Sequence, residues 1–230
     1  MVNLIPEVFP DEPTEYLEIE RVTASKEFVA PEEGWFEFIG LAASGKGGAT
    51  YTMMHGKQYA AGGGGGGAGG VTVSVFALNK DDKVSLYVGG NVTITRGDEV
   101  ATATQGGPGE NGELDRQHDY AFGGSGGSGG SASGGNVANQ PGGTGGRGGS
   151  IEYDNDTPVS SVYGTGATNS YGGYSTSGGP GNNQNGSTAY IVVLRGNTNI
   201  PLSTQNAQDI TALMLQMSRI SQEQTSLLLQ

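Results

Sequence analysis

Alternation of apolar and polar residues predicts short β-strands over the first half of the chain and again near its end. Residues 17–22 alternate Leu, Ile and Val with Glu and Arg, and residues 28–41 read as strand, turn and strand, with Pro31 and Gly34 in the turn. The same period of two predicts strands at residues 71–78, 84–88, 92–94 and 189–194. The pattern therefore favours a mainly β fold.

Glycine-rich tracts with a period of three lie between these strands. Residues 123–131 read GGSGGSGGS, residues 142–150 read GGTGGRGGS, and residues 62–70 are glycine except for Ala68. Three residues per turn is the period of polyproline II, not of an α-helix or a strand. Flexible linkers are the alternative, because Gly/Ser tracts are often random coil. Their recurrence between strand-like segments favours ordered rods.

The composition changes after Gly196, beyond which no glycine occurs. Apolar residues there follow steps of three and four, which predicts an α-helix that forms a coiled coil and assembles the protein, with a trimer favoured. A single amphipathic helix lying on its own domain is the alternative. The predicted oligomerisation residues are Ile210, Leu213, Met217, Ile220, Gln224 and Leu227.

These patterns divide the chain into three parts. Residues 1–21 form a short acidic N-terminal arm, residues 22–196 a glycine-rich β and polyproline II domain, and residues 197–230 a C-terminal helix for assembly. The predicted fold class is mainly β with glycine-rich polyproline II rods, flanked by the arm and the coiled-coil helix.

Charge and composition narrow the function. The formal net charge of −12 disfavours phosphate-backbone contacts, so no nucleic-acid partner is expected. Cysteine is absent, and His55 and His118 are the only histidines and lie far apart, so we expect no enzyme activity, no metal and no cofactor. No signal peptide or apolar run of about 20 residues occurs, which predicts no membrane insertion. Arg96-Gly97-Asp98 reads as a hairpin turn.

Four segments together resemble the glycine-rich domain of phage tail proteins and tail-fibre adhesins. They are FVAPEEGWFEFIGLAASG (28–45), AAGGGGGGAGGVTVSVFAL (60–78), KVSLYVGGN (83–91) and STAYIVVLRG (187–196). The glycine triplets also resemble those of the T-even type tip adhesins, in which polyproline II rods present variable loops. The resemblance implies a virion protein, and the lack of a signal peptide predicts that it is made in the host cytoplasm and released by lysis. The resemblance also implies contact with other virion proteins and recognition of a host surface polysaccharide or outer-membrane receptor. A purely structural virion component of the baseplate, collar or head fibre is the alternative.

A region rich in Tyr, Asn, Ser and Gly precedes the last predicted strand. Tyrosine gives large contact area at low entropic cost, and Asn and Ser adapt their hydrogen bonds, so this mixture is typical of recognition surfaces. Tyrosines that merely cover the rod ends are the alternative. The candidate receptor-binding residues are Tyr153, Tyr163, Tyr171, Tyr174, Asn182 and Asn183.

Overall fold

A β-sandwich forms one end of the compact unit Met1–Gly196, of which the computed structural model describes residues 12–55, 57–153 and 159–196. The first sheet has the spatial order β1 (Tyr16–Val22), β17 (Tyr190–Gly196), β3 (Gly34–Leu41), β6 (Val71–Leu78) and β13 (Ala138–Gln140). The second has the order β12 (Ala132–Ser133), β9 (Glu99–Ala103), β8 (Val92–Arg96), β7 (Lys83–Val88) and β2 (Lys26–Val29). The strands predicted from alternation all lie in these two sheets.

Aromatic side chains fill the space between the sheets. Phe28 from β2 contacts Phe36 and Phe38 from β3 edge-on, with ring centroids 5.5 and 5.4 Å apart. Phe38 also lies 5.7 Å from Phe76 of β6. Each of these side chains is at most 5% exposed. Edge-to-face ring pairs add to the free energy gained by burial, so this small cluster holds the sandwich together.

A β-hairpin covers the outer face of the first sheet. It consists of β15 (Thr168–Tyr171) and β16 (Tyr174–Ser177), joined by Gly172 and Gly173, whose φ angles are +55° and +86°. Two consecutive residues with positive φ make the tight turn that matches strand twist, and glycine adopts this conformation without strain. Ile39, Leu41, Val71 and Val192 are buried beneath the hairpin. The first sheet is therefore covered on both faces.

The predicted turn at Arg96-Gly97-Asp98 is confirmed. Arg96 of β8 pairs with Glu99 of β9, which leaves Gly97 and Asp98 as a two-residue hairpin loop. Gly97 has a φ of +57°, as such loops require.

The glycine-rich tracts form a bundle of parallel and antiparallel rods beyond the sandwich. Two of every three amides in residues 62–70, the central rod, donate to the backbone of one outer rod each, and both patterns repeat every third residue. The remaining amides donate to the Gly179 carbonyl (Gly66) and to the hydroxyls of Thr50 (Gly63) and Ser44 (Gly69). Amides 62, 65 and 68 donate to the rod at 142–149, and amides 64, 67 and 70 donate to the rod at 104–112, all at 2.8–3.0 Å. A period of three is that of polyproline II.

Six outer rods surround the central rod in a closed ring. They are residues 42–49, 104–112, 123–131, 142–149, 162–167 and 178–181, and each hydrogen-bonds to the next, the last to the first, at 2.7–3.0 Å. In a rod with three residues per turn, the amides point in three directions and the carbonyl groups in three others. One central rod can therefore hydrogen-bond to six neighbouring rods. Buried backbone groups are paired in this way without any strand or helix.

Glycine is required inside the bundle because the backbones approach closely. A Cβ atom on Gly65 would lie 2.0 Å from the carbonyl oxygen of Thr165. Ala68 follows Gly65 by three residues and faces the same direction. At that level the 162–167 rod has ended, and β15 begins at Thr168. The one alanine of the central rod therefore lies where its neighbour turns away. Close backbones also permit Cα–H···O contacts, each contributing about 0.5–1 kcal/mol.

The compact unit has two distinct ends, one formed by the sandwich and the other by the bundle. Strands β3, β6 and β9 run directly into or out of rods at their bundle-side ends. At the other end of the sandwich, called the base here, Tyr16 pairs with Gly196, after which the described residues end. The far end of the bundle, called the tip here, carries the loops that join rods to one another. Base and tip lie at opposite ends of the unit.

The predicted fold class is correct in being mainly β and wrong in its C-terminal coiled-coil helix. Among the described residues, 45% lie in strands, 2% are helical and no helix reaches seven residues. The longest helical segment there is a 3₁₀ turn at Val159–Val162. The six predicted oligomerisation residues, 210–227, lie outside the described residues. Heptad spacing alone was misleading because about three heptads gain helical stability chiefly from packing against a partner, which spacing does not supply.

Candidate functional site

A three-stranded sheet forms one side of the tip. The 42–49 rod leads into β4 (Tyr51–His55), β5 (Lys57–Ala61) leads into the central rod, and β14 (Ser150–Tyr153) pairs with the other side of β5. The hydroxyl of Thr50 links the sheet to the bundle: it accepts a hydrogen bond from the Gly63 amide at 2.9 Å and donates to the Gly181 carbonyl. The rods therefore fix the position of this sheet.

A second hairpin packs against this sheet. It comprises β10 (Glu113–Asp115), β11 (Tyr120–Phe122) and the turn between them, and residues 113–122 are called the tip hairpin below. Cross-strand pairing places Leu114 and Ala121 on one face and Tyr120 and Phe122 on the other. Leu114 and Ala121 are partly buried, whereas Tyr120 and Phe122 are exposed. The two aromatic side chains therefore face outward.

Two side-chain contacts join the elements of the tip. His55 Nδ1 lies 2.5 Å from the Asp119 carboxylate, and Lys57 Nζ lies 2.7 Å from that of Glu152. The hydrogen bond and charge of Glu152 raise the pKa of Lys57. All four side chains are well exposed, so these contacts contribute orientation more than stability.

The turn of the tip hairpin is held by its own acidic residue. Asp115 accepts hydrogen bonds from the amides of Gln117 and His118, and its other oxygen lies 2.8 Å from His118 Nδ1. The side-chain bond from His118, followed by the Gln117 amide, lowers the pKa of the Asp115 carboxyl. Asp119 has a φ of +55°, a conformation that a non-glycine residue adopts at a cost. The turn is therefore shaped by specific contacts.

Large apolar side chains are exposed on the tip. Met54 is 75% exposed, Tyr120 60%, Phe122 50% and Tyr51 47%. The rings of Tyr120 and Phe122 stack on each other with centroids 5.8 Å apart and an interplanar angle of 28°. Clusters of exposed aromatic residues on a rigid support mark interaction surfaces, whereas scattered ones do not.

A shallow cavity of about 240 Å³ lies between the tip hairpin and the three-stranded sheet. It is lined by Tyr59, Asp119, Tyr120, Ala121, Ser150, Ile151 and Glu152. A larger open depression of about 530 Å³ lies at the base, between the β6–β7 and β8–β9 turns, and is lined by side chains of mixed charge such as Lys83, Arg96 and Glu99. We centre the candidate site on the tip, because there, among the described residues, exposed rings lie beside a concave surface.

Four of the six predicted receptor-binding residues lie at the tip end of the bundle. Tyr153 ends β14, although its side chain is outside the described part of the structure, and Tyr163 follows the 3₁₀ turn and is partly buried. The amide of Asn183 donates to the Gly48 carbonyl at 2.9 Å, and its φ is +68°. The neighbouring Asn182 has a buried Oδ1 atom without a hydrogen-bond partner.

The other two predicted residues, Tyr171 and Tyr174, lie at the sandwich. Both pack against the outer face of the first sheet. The Tyr174 hydroxyl donates to the Glu18 carboxylate, and the guanidinium of Arg21 lies 5.5 Å from the Tyr174 ring centroid. Burial, then the hydrogen bond and charge of Glu18, raise the pKa of Tyr174 to about 12. These contacts fasten the β15–β16 hairpin to β1, so the six predicted residues do not form one site.

Sequence reasoning missed the two hairpins that make up most of the tip. Residues 51–61, YTMMHGKQYAA, have a tyrosine on each side of a His-Gly pair, which is a hairpin signal. Residues 120–122, Tyr-Ala-Phe, alternate in the manner of a half-exposed strand. Both signals are short and lie between glycine tracts that dominate the local composition.

Within the described ranges, no group of three or more His, Asp or Glu side chains is placed to hold a metal ion. The same part of the chain has no helix long and apolar enough to cross a membrane.

Comparison with known proteins gives no family for this chain. Neither a protein-family model nor a curated protein sequence matches it. Its function is therefore inferred from the geometry of the tip.

Proposed function

We propose that this protein is a phage virion adhesin whose tip binds a receptor on the host surface. The observation that carries the proposal is the placement of exposed aromatic side chains on a rigid tip, at the opposite end of the unit from Gly196. A protein that is anchored through its base would present these side chains outward. The resemblance of four segments to phage tail proteins and tail-fibre adhesins supports the location in a virion.

The bundle supports recognition by limiting the motion of the tip. Each outer rod bonds to the central rod and to the neighbouring outer rods at 2.7–3.1 Å. The loops of the tip are therefore preorganised, and preorganisation reduces the entropy lost when a partner binds. A nine-residue rod at about 3.1 Å per residue separates the tip from the sandwich by about 28 Å.

Binding of labelled full-chain protein to a panel of bacterial strains tests the proposal. We expect the wild type to bind at least one strain and the double variant Tyr120→Ala, Phe122→Ala to lose most of that binding. Tyr87→Ala is the matched control, because Tyr87 is 55% exposed but lies on the second sheet of the sandwich.

Two outcomes would contradict the proposal. Equal binding by the double variant and the wild type would remove the tip hairpin from the site. Binding to no strain, together with retention by purified virions, would favour the alternative of a structural virion component that contacts only other virion proteins.

A further inference from the structure

We propose that the tip hairpin binds a glycan of neutral or amino sugars; this inference rests on the proposed function and names the receptor class. The first ground is the stacked pair of Tyr120 and Phe122. Both rings lie on the outer face of β11 and are at least half exposed. Aromatic faces are electron-rich, and the C–H groups on one side of a sugar ring carry partial positive charge, so the two surfaces attract.

Carboxylates lie beside the rings. On the outer face of the tip hairpin, Glu113 is paired across the strands with Phe122, and Asp115 with Tyr120. Asp115 already holds the turn through three hydrogen bonds, so the Glu113 carboxylate is the group offered to a sugar. Ionised carboxylates only accept hydrogen bonds, and sugar hydroxyls can donate them. This combination of an apolar platform with acceptors at its edge matches a sugar ring, which has an apolar face and hydroxyl groups around its edge.

The charge of the tip determines which glycans fit. The described tip segments, residues 51–55, 57–61, 113–122 and 150–153, contain four carboxylates (Glu113, Asp115, Asp119 and Glu152) and two permanent cations (Lys57 and Arg116). Lys57 is already paired with Glu152. Phosphorylated, sulfated or uronic-acid polymers would therefore be repelled, whereas neutral sugars would be accepted and amino sugars attracted.

The size of the neighbouring cavity fits a single ring. Its volume of about 240 Å³ falls below the 300–1,000 Å³ that is typical of sites for drug-sized molecules. Tyr59, Ser150 and Ile151 of the sheet line it together with Asp119 and Ala121 of the tip hairpin, so it offers both apolar and polar surface. A glycan chain could place one sugar on the Tyr120–Phe122 platform and the next in this cavity.

Chemical treatment of cells that bind the wild-type protein tests the inference. Periodate oxidises vicinal diols of sugars, and proteinase K removes surface proteins. We expect periodate to abolish binding and proteinase K to leave it unchanged. On an array of purified bacterial polysaccharides, we expect the full-chain protein to bind neutral or amino-sugar members.

Point variants relate the binding to the platform. Tyr120→Ala and, separately, Phe122→Ala should each weaken the affinity for the polysaccharide that the wild type binds by about tenfold, because one aromatic stacking contact contributes about that factor. Glu113→Gln keeps the shape but removes the charge, and it should weaken binding to amino sugars more than to neutral ones. Tyr87→Ala on the sandwich should change nothing.

The outcomes separate this inference from the proposed function. Binding that proteinase K abolishes and periodate spares would identify a protein receptor, which overturns the glycan inference and leaves the adhesin proposal intact. Binding only to acidic polysaccharides would also overturn it. Failure to bind any strain would contradict the adhesin proposal itself.

Discussion

Replacing Gly145 by alanine tests whether backbone contact between rods holds the bundle together. A Cβ atom on Gly145 would lie 2.0 Å from the Gly65 carbonyl oxygen and 2.5 Å from its carbon. Both neighbours are backbone atoms of the central rod, so no side chain can rotate away. Relief of the clash therefore requires the whole 142–149 rod to move outward by about 1 Å, a displacement of the kind that overpacking forces.

The cost follows from the hydrogen bonds that such a movement breaks. The amides of Gly62, Gly65 and Ala68 donate to this rod at 2.8–3.0 Å, and about 1 Å of displacement takes all three beyond bonding distance. At about 1–1.5 kcal/mol each, the loss is about 3–4.5 kcal/mol. For a domain of this size, that lowers the melting temperature by about 6–18 °C.

Gly143→Ala in the same rod is the matched control. A Cβ atom there would meet only the Ala167 methyl at 3.4 Å and the Thr168 carbonyl oxygen at 3.9 Å, which are ordinary contacts. Both substitutions reduce the entropy of the unfolded chain equally, so the difference between them isolates the clash. Thermal unfolding followed by circular dichroism measures it, and melting temperatures within about 2 °C of each other would refute the account of the bundle.

Other predictions concern the sandwich and the β15–β16 hairpin. Phe38→Ala should lower the free energy of unfolding by about 3–5 kcal/mol in urea titration, because the side chain is fully buried; a loss below 1 kcal/mol would contradict its place in the core. Because the folded protein raises the pKa of Tyr174 to about 12, its contribution to stability is complete below pH 10 and should be lost as pH rises to 12. Tyr174→Phe should flatten that part of the pH–stability curve, and an unchanged slope would contradict the effect of burial and of the Glu18 contact on the pKa of Tyr174. Gly173→Ala should cost about 1–2 kcal/mol because φ is +86°, and a neutral effect would contradict the turn.

The sandwich could be predicted from sequence because each strand has its own alternating pattern. Residues 71–78 were predicted as a strand with the bounds that β6 has. The period of three likewise predicted rods. The order of rods in the ring could not be predicted, because hydrogen bonds between glycine backbones are the same whichever tracts meet.

The candidate site was only partly predictable, since neighbouring positions in the glycine-rich region lie at opposite ends of the bundle. Tyr163 lies at the tip, whereas Tyr171, eight residues later, lies at the sandwich because a rod intervenes. The Tyr-Gly-Gly-Tyr sequence at 171–174 contains a hairpin turn signal that separates Tyr171 and Tyr174 from a recognition loop. The tip hairpin itself has only three residues in each strand, too few for a period to stand out.

Hydrogen exchange of the protein, measured with and without the host surface that it binds, tests most directly whether the tip is the recognition element. The probe is outer-membrane vesicles from a strain that binds the wild-type protein, and the readout is amide protection along the chain. We expect added protection at residues 51–61 and 113–122 and none in the strands of the sandwich. Protection confined to the sandwich, or at the base turns near Lys83 and Arg96, would contradict the account.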